Sequence, residues 1–171
     1  MTNLDITTVP PFYKNYVKQV IHLDMFEALR ASRDEMNKYL ASLPSEKLDY
    51  AYAPGKWTIR ELLCHIIDAE RIFTYRALCF SRNDKTILPG FDENSYVPES
   101  NATQRSLLSI SKELNNLRES TIDFFESCSP EMLDRKGVAN KTEISVLTLG
   151  YVVSGHQLHH LNILKERYFQ L

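Results

Sequence analysis

The sequence predicts an all-α protein, a four-helix bundle with short extra helices and a long loop between helices 2 and 3. Three observations favour this fold. Apolar residues recur every three or four positions in four long segments, proline and glycine stand mostly between those segments, and no sizeable stretch alternates apolar with polar residues. The length of 171 residues predicts one bundle domain over residues 1–171.

The first two long helices are predicted at about residues 12–43 and 58–81. A bend in the first, near residues 22–24, would leave a separate short helix at its start. The second has a clear beginning, because Thr58 and Glu61 have the spacing of a capping box, in which each side chain bonds the other residue's backbone N–H.

The third and fourth long helices are predicted at about residues 103–127 and 142–169, with a short extra helix starting near residues 129–131. The loop over residues 82–101 shows no periodicity. Connections of this length in compact domains are uncommon and often functional. No strand is expected, since Val138 is isolated and the stretch over residues 48–53 is short.

Charge and composition exclude several classes of partner. Twenty basic and 22 acidic residues leave a net charge of −2, and no long basic run is present, so neither nucleic acid nor a membrane surface is an expected partner. The N-terminus lacks the pattern of a signal peptide, which predicts a cytoplasmic protein. Cys64, Cys79 and Cys128 form no CxxC pair and are expected to be reduced, buried thiols.

The segment HQLHH carries the strongest functional signal. His156 and His160 are four residues apart, about 40° from each other on a helical wheel, and lie within the apolar face of the fourth helix. His159 lies on the other side of His156, towards the edge of that face. Buried imidazoles need partners for both ring nitrogens, and a metal ion would serve. Core or surface histidines without a metal are the alternative.

His65 adds a third candidate ligand from the second helix. It lies one turn inside that helix, on the flank of its apolar face. Three neutral histidines leave one to three open positions on a metal ion for water or substrate. This pattern is typical of a catalytic site rather than of a closed structural one.

Three blocks of the sequence, PGKWTIRELLCHIIDAERIF, LPGFDENSY and SGHQLHHLNILKERY, resemble the DinB/YfiT-like family of metalloenzymes. The resemblance extends over roughly residues 29–168. It implies a four-helix bundle, often a homodimer, with a divalent metal, nickel or zinc among others, on one histidine of the second helix and an H-x-x-x-H pair of the last. Those positions are His65, His156 and His160 here.

The resemblance is less informative about the reaction. It implies either a hydrolase or an S-transferase that uses a low-molecular-weight thiol as cosubstrate, some members being similar to a mycothiol-dependent maleylpyruvate isomerase. The leading hypothesis is a metal-dependent enzyme that activates water or a thiol to attack a small-molecule substrate. The alternatives are a non-catalytic metal-binding or stress-response protein and a dimeric scaffold with a vestigial site. The sequence assigns no catalytic residue.

Four further residues have two interpretations each. Asp68 either orients a ligand histidine or is a solvated helix charge, and Asp92 either faces the metal site or caps a turn. His22 and His159 are expected to be structural or exposed.

Overall fold

The computed structural model describes residues 4–168 and confirms the four-helix bundle. In chain order the elements are α1 (Lys14–Val17), α2 (Met25–Ser42), α3 (Ile59–Ser81), α4 (Glu93–Glu99), α5 (Leu107–Glu126), α6 (Pro130–Asp134), β1 (Lys136–Ala139), β2 (Thr142–Ser145) and α7 (Val146–Ile163). A π-helical turn, Leu164–Tyr168, continues α7, and 3-10 turns lie at Ile6–Thr8, Pro11–Tyr13, Ser45–Lys47 and Ala102–Gln104. The bundle consists of α2, α3, α5 and α7, and the predicted break in the first helix separates α1 from α2.

Side-chain caps fix where the long helices begin. The predicted capping box of α3 is present, with Thr58 accepting from the backbone N–H of Glu61 and Glu61 accepting from that of Thr58. Asp24 and Glu27 form a second box at the start of α2. The helix α5 begins a few residues later than predicted, because Ser106 caps it.

The last helix, α7, lies at the centre of the molecule. All residues from 146 to 157 are buried, and the helix packs against α1, α2 and α3. An apolar surface all round is typical of a helix enclosed by others. Even so, within residues 4–168 no helix combines the length and apolarity that a membrane span requires.

A buried ion pair joins three of the bundle helices. Arg118 of α5 donates two hydrogen bonds to Glu70 of α3, at 2.9 and 2.8 Å, and two more to the Leu29 carbonyl and the Ser32 hydroxyl of α2. Arg118 is 1% exposed and Glu70 3%. Each of the three guanidinium nitrogens of Arg118 therefore has a hydrogen-bond partner, which is what makes a buried charge tolerable.

The expectation of no strand was wrong, and so was the start of the fourth helix near residue 142. β1 and β2 form an antiparallel hairpin that pairs Ala139 with Thr142. The turn between them, Asn140 and Lys141, has positive φ angles of 49° and 62°, as two-residue hairpin turns of type I′ require. The segment 82–101 is also more ordered than a plain loop, since it contains α4.

Candidate metal centre

The structure brings the three predicted histidines together. The Nε2 atom of His156 lies 3.2 Å from Nε2 of His65 and 3.1 Å from Nε2 of His160. One ring nitrogen from each residue lies within 4.8 Å of the others. Metal–nitrogen bonds of 2.0–2.1 Å in a tetrahedral site place neighbouring nitrogens about 3.3 Å apart. The donor set therefore fits a divalent ion in both chemistry and spacing.

Two elements position these candidate ligands. His65 lies in the second turn of α3, while His156 and His160 lie on successive turns of α7, which packs against α3. His159 does not join them, because its ring stacks edge-on against Tyr16, with the centroids 5.2 Å apart.

Aromatic rings hold the histidines on both sides. The Trp57 ring lies 4.9 Å from that of His65, and Phe73 and Tyr16 contact His156 edge-on at 5.5 and 5.3 Å. Phe73 belongs to one apolar cluster of the core and Trp57 packs against the other. The three histidines thus lie where the two apolar clusters meet, and the neighbouring rings restrict the rotation of the His65 and His156 side chains.

Burial keeps all three imidazoles neutral at neutral pH. It lowers the pKa of His65 to about 4, although the negative charge of Glu93 opposes the shift. It lowers the pKa of His160 to about 3, and the pKa of His156 falls well below its ordinary value because burial and the neighbouring imidazoles act together. Neutral imidazole is the form that binds a metal ion.

A cavity of about 300 Å³ opens beside the histidines. Its walls are mainly aromatic, formed by Phe12, Tyr13, Tyr16, Trp57, Phe73 and Phe91. Its polar lining consists of Arg76, Glu93 and Asn140 together with the histidines. Small-molecule sites have this composition, with few polar groups in an apolar enclosure. A larger groove, of about 560 Å³, runs along α5, is open to solvent and shares no lining residue with the cavity.

Comparison with models of protein families shows to which family the chain belongs. The model of the DinB superfamily matches residues 28–164, about four fifths of the chain. The chain belongs to the DinB superfamily. A candidate metal-dependent hydrolase from Oceanobacillus iheyensis is 26% identical over 135 residues, which are 77% of this chain and 76% of that protein.

Two solved structures share the fold of this DinB-superfamily chain. YfiT from Bacillus subtilis, described as a probable metal-dependent hydrolase with an unusual four-helix bundle topology, superposes with a TM-score of 0.68 at 18% identity, covering 84% of this chain and 85% of its own. A mycothiol-dependent maleylpyruvate isomerase gives a TM-score of 0.68 at 8% identity, covering 92% of this chain and 62% of its own. At these identities the likeness concerns the fold.

Asp92 caps a helix, and its neighbour lines the cavity. Asp92 accepts hydrogen bonds from the Asn94 backbone and the Ser95 hydroxyl, at 3.0 and 2.6 Å, at the start of α4. The next residue, Glu93, lines the cavity and acts electrostatically on His65. Sequence reasoning missed Glu93, which lies one position from the acid that it had considered.

Asp68 and Cys64 do not belong to the convergent donor set and contact other side chains. Asp68 is half-buried and pairs with Arg71 at 3.7 Å, as a helix charge would. The Cys64 sulfur accepts a hydrogen bond from Arg105 at 3.8 Å, and burial raises the pKa of its thiol. All three cysteines are free thiols, as expected, although Cys64 alone is fully buried.

Arg76 was also not predicted as a site residue, although its spacing from His65 in the sequence could have indicated it. It lies eleven residues after His65 on α3. Three turns of an α-helix correspond to 10.8 residues, so the two positions differ by about 20° around the axis. A search for polar residues on the same face of the helix as the first histidine would have found it.

Proposed function

We propose that this protein is a divalent-metal-dependent hydrolase of a small molecule, with His65, His156 and His160 as the metal ligands. The observation that carries the proposal is the convergence of three neutral imidazoles in the wall of an aromatic cavity, with His156 Nε2 3.2 and 3.1 Å from the Nε2 atoms of His65 and His160 and one ring nitrogen of each within 4.8 Å of the others. Zinc and nickel are the proposed ions, since both accept imidazole. The descriptions of the Oceanobacillus protein and of YfiT as metal-dependent hydrolases support the same reaction class.

The three ligands leave part of the coordination sphere to the cavity. A divalent ion held there would supply Lewis acidity, lowering the pKa of water to near neutrality and polarising a carbonyl group. The chain's own residues hold the three nitrogens in place, and the aromatic walls exclude bulk water from the reacting groups.

Glu93 is the proposed proton acceptor of this reaction. It is half-buried, lines the cavity and is the carboxylate whose charge reaches His65. It does not belong to the convergent donor set, so it is free to take a proton from water. A carboxylate at such a position typically contributes about 10²–10⁴-fold to the rate.

Metal binding is tested on untagged protein by elemental mass spectrometry after incubation with zinc or nickel. We expect about one ion per chain in the wild type, and in His159→Ala, whose imidazole lies outside the centre. His156→Ala should lose most of the ion while keeping the helical circular-dichroism spectrum. A wild type that stays metal-free, or a His156→Ala protein that stays fully loaded, would contradict the ligand assignment.

Hydrolysis is tested with a panel of esters and amides, with and without a low-molecular-weight thiol. We expect metal-dependent turnover without thiol, lowered about 100-fold in Glu93→Gln and unchanged in Glu99→Gln, the same substitution at the exposed end of α4. Turnover that requires the thiol would contradict the assignment as a hydrolase and would indicate an S-transferase instead. Turnover that survives removal of the metal would refute metal dependence.

A further inference from the structure

Arg76 is a buried cation without a counter-charge in the wall of the histidine cavity. Its side chain is only 3% exposed. Its Nη2 donates to the carbonyl oxygen of Pro89 at 2.9 Å, and its guanidinium carbon lies 6.0 Å from the centroid of the Phe73 ring. Among residues 4–168 no carboxylate forms an ion pair with Arg76. The Tyr13 hydroxyl lies beside the guanidinium, but burial raises the pKa of Tyr13, so its neutral hydroxyl supplies no counter-charge.

Arg118 shows how the same bundle accommodates a structural arginine. It is as deeply buried as Arg76, but Glu70 binds its Nε and Nη2 through two parallel hydrogen bonds, and its Nη1 donates two more to α2. A buried charge that lacks such partners is costly. The contrast indicates that the counter-charge of Arg76 comes from a molecule in the cavity.

The guanidinium of Arg76 is held in a fixed position before such a molecule binds. Pro89, which accepts its hydrogen bond, follows Leu88, and Leu88 is tied to the hairpin by bonds to the Val138 carbonyl at 3.0 Å and from the Asn140 backbone at 3.1 Å. The position of the Arg76 guanidinium is therefore fixed both by its own helix, α3, and by the segment around Pro89 that is bonded to the hairpin. Groups ordered before binding lose little entropy on binding, which raises affinity.

The two charged side chains of the cavity do not neutralise each other. Glu93 and Arg76 both line it, yet within residues 4–168 they form no ion pair, and the charge of Glu93 acts on His65 and Tyr16. An anionic group would be repelled near Glu93 and attracted at Arg76. The cavity therefore orients an acid, with its anionic end at Arg76 and its other end towards the histidines.

We propose that Arg76 binds the carboxylate of the substrate, so that the cavity selects an organic acid with a flat, apolar body. The planar fork of an arginine matches a carboxylate through two parallel hydrogen bonds, and the aromatic walls suit a flat body. This inference rests on the proposed function in one respect, since it takes the cavity beside the histidines as the substrate site.

The spacing along α3 agrees with a small acid. Arg76 and His65 are eleven residues apart, which corresponds to about 16 Å between their Cα atoms. Side chains on a helix tilt towards its N-terminus, so the long arginine side chain leans back towards His65 and shortens the remaining gap. A cavity of about 300 Å³ accepts a molecule with one ring or a short chain.

Calorimetric titration of the metal-loaded protein with benzoate, benzamide and phenyl phosphate tests the proposal. Trp57, the single tryptophan of the chain, lines the cavity, so quenching of its fluorescence shows that the probe binds there. We expect benzoate to bind at least about tenfold more tightly than its neutral amide, and more tightly than phenyl phosphate. Equal affinities for benzoate and benzamide, no binding of benzoate, or tighter binding of phenyl phosphate would overturn the assignment of a carboxylate.

Variants of Arg76 decide whether it is the binding group. Arg76→Gln should reduce the preference for benzoate to less than about twofold, whereas Arg71→Gln, the same change at an exposed position of α3, should leave it unchanged. Arg76→Lys keeps the charge but loses the planar fork, and should retain an intermediate preference even if Arg76→Gln fails to fold. A full preference in Arg76→Gln, or none in Arg76→Lys, would overturn the proposal.

His156→Ala separates this inference from the proposed function. If Arg76 binds the carboxylate, the preference for benzoate over benzamide persists in His156→Ala, whatever its metal content. Loss of the preference in that variant would mean that the carboxylate binds the metal centre, and the inference would fail. Conversely, a protein that never binds metal but still prefers benzoate would refute the proposed function and leave the acid site standing.

Discussion

The imidazoles of His65, His156 and His160, two buried and one half-buried, leave one another's Nε2 atoms poorly satisfied. A neutral imidazole nitrogen has either one proton or one lone pair, so Nε2 of His156, which lies 3.2 and 3.1 Å from the Nε2 atoms of the other two, can make only one well-directed hydrogen bond. His160 is the extreme case, since its Nδ1 is also buried without a partner among the described residues. A cation at the point of convergence would satisfy all three Nε2 atoms at once.

The pH dependence of stability follows from the same residues. The folded pKa values of His65 and His160, about 4 and about 3, lie below the value of 6.5 expected in the unfolded chain. At pH values between the folded and unfolded pKa values, the unfolded state binds more protons than the folded state. The free energy of unfolding of the metal-free protein therefore falls as the pH falls. Each such residue contributes at most about 1.4 kcal/mol per pH unit.

Urea unfolding of chelator-treated protein at pH 7 and pH 5 measures this effect. The wild type should be less stable at pH 5, and His65→Gln, which removes one titrating imidazole, should lose less stability over the same interval. His22→Gln, at an exposed histidine, is the control and should behave as the wild type. Equal losses in wild type and His65→Gln would contradict the assigned pKa shift.

At the scale of elements, Gly155 lets α7 lie close against the backbone of α1. A Cβ atom at this position would lie 2.2 Å from the carbonyl oxygen of Tyr16, which is backbone and cannot move alone. The neighbouring His156 contacts the Tyr16 ring. The glycine beside the first histidine of α7 therefore sets the distance between α1 and the three histidines.

Gly155→Ala should destabilise the protein by about 1–3 kcal/mol, even though alanine favours helix over glycine by about 1 kcal/mol. Gly150→Ala is the matched control on the same helix, because its Cβ would meet the side-chain sulfur of Met25, which can turn away. Urea unfolding of both variants measures the difference. A Gly155→Ala protein as stable as Gly150→Ala would show that α1 shifts at no cost.

The elements differ in how far the sequence determines them locally. The helix α3 was predictable because Thr58, Glu61 and the apolar periodicity lie within the helix itself. The hairpin was missed because its strands have only four residues each and its turn uses Asn140 and Lys141 rather than a glycine. Its pairing partner Leu88 lies about fifty positions earlier, a tertiary contact that no local pattern announces.

The candidate site divides in the same way. Helical phase alone selected His156 and His160 over His159, because these positions lie on one stretch of regular helix. Glu93 and Arg76 could not be weighed in this way, since their place in the cavity depends on how α4 and the segment near Pro89 fold back on α3.

At the scale of the whole molecule, a metal ion bound to the three histidines would cross-link distant parts of the chain. His65 and His156 are 91 positions apart, and they come from the two helices that pack most extensively against each other. The buried pair of Arg118 and Glu70 already joins α5 to α3. An ion bound to the histidines would join α3 to α7 in addition, and it would do so in the folded state alone.

Zinc should therefore raise the thermal stability of the entire bundle. At a free ion concentration 100 times the dissociation constant, binding to the folded state adds about 2.7 kcal/mol. For a chain of this length, that corresponds to a rise in Tm of about 5–10 °C. Thermal unfolding followed by circular dichroism, in zinc and in chelator, measures the rise.

The variants His160→Ala and His159→Ala give this measurement its control. They lie side by side on α7, but His160 contributes to the convergent set and His159 does not. The rise in Tm should be lost in His160→Ala and kept in His159→Ala. An equal rise in both would place the zinc elsewhere on the molecule, because a ligand stabilises the fold only through the groups that bind it.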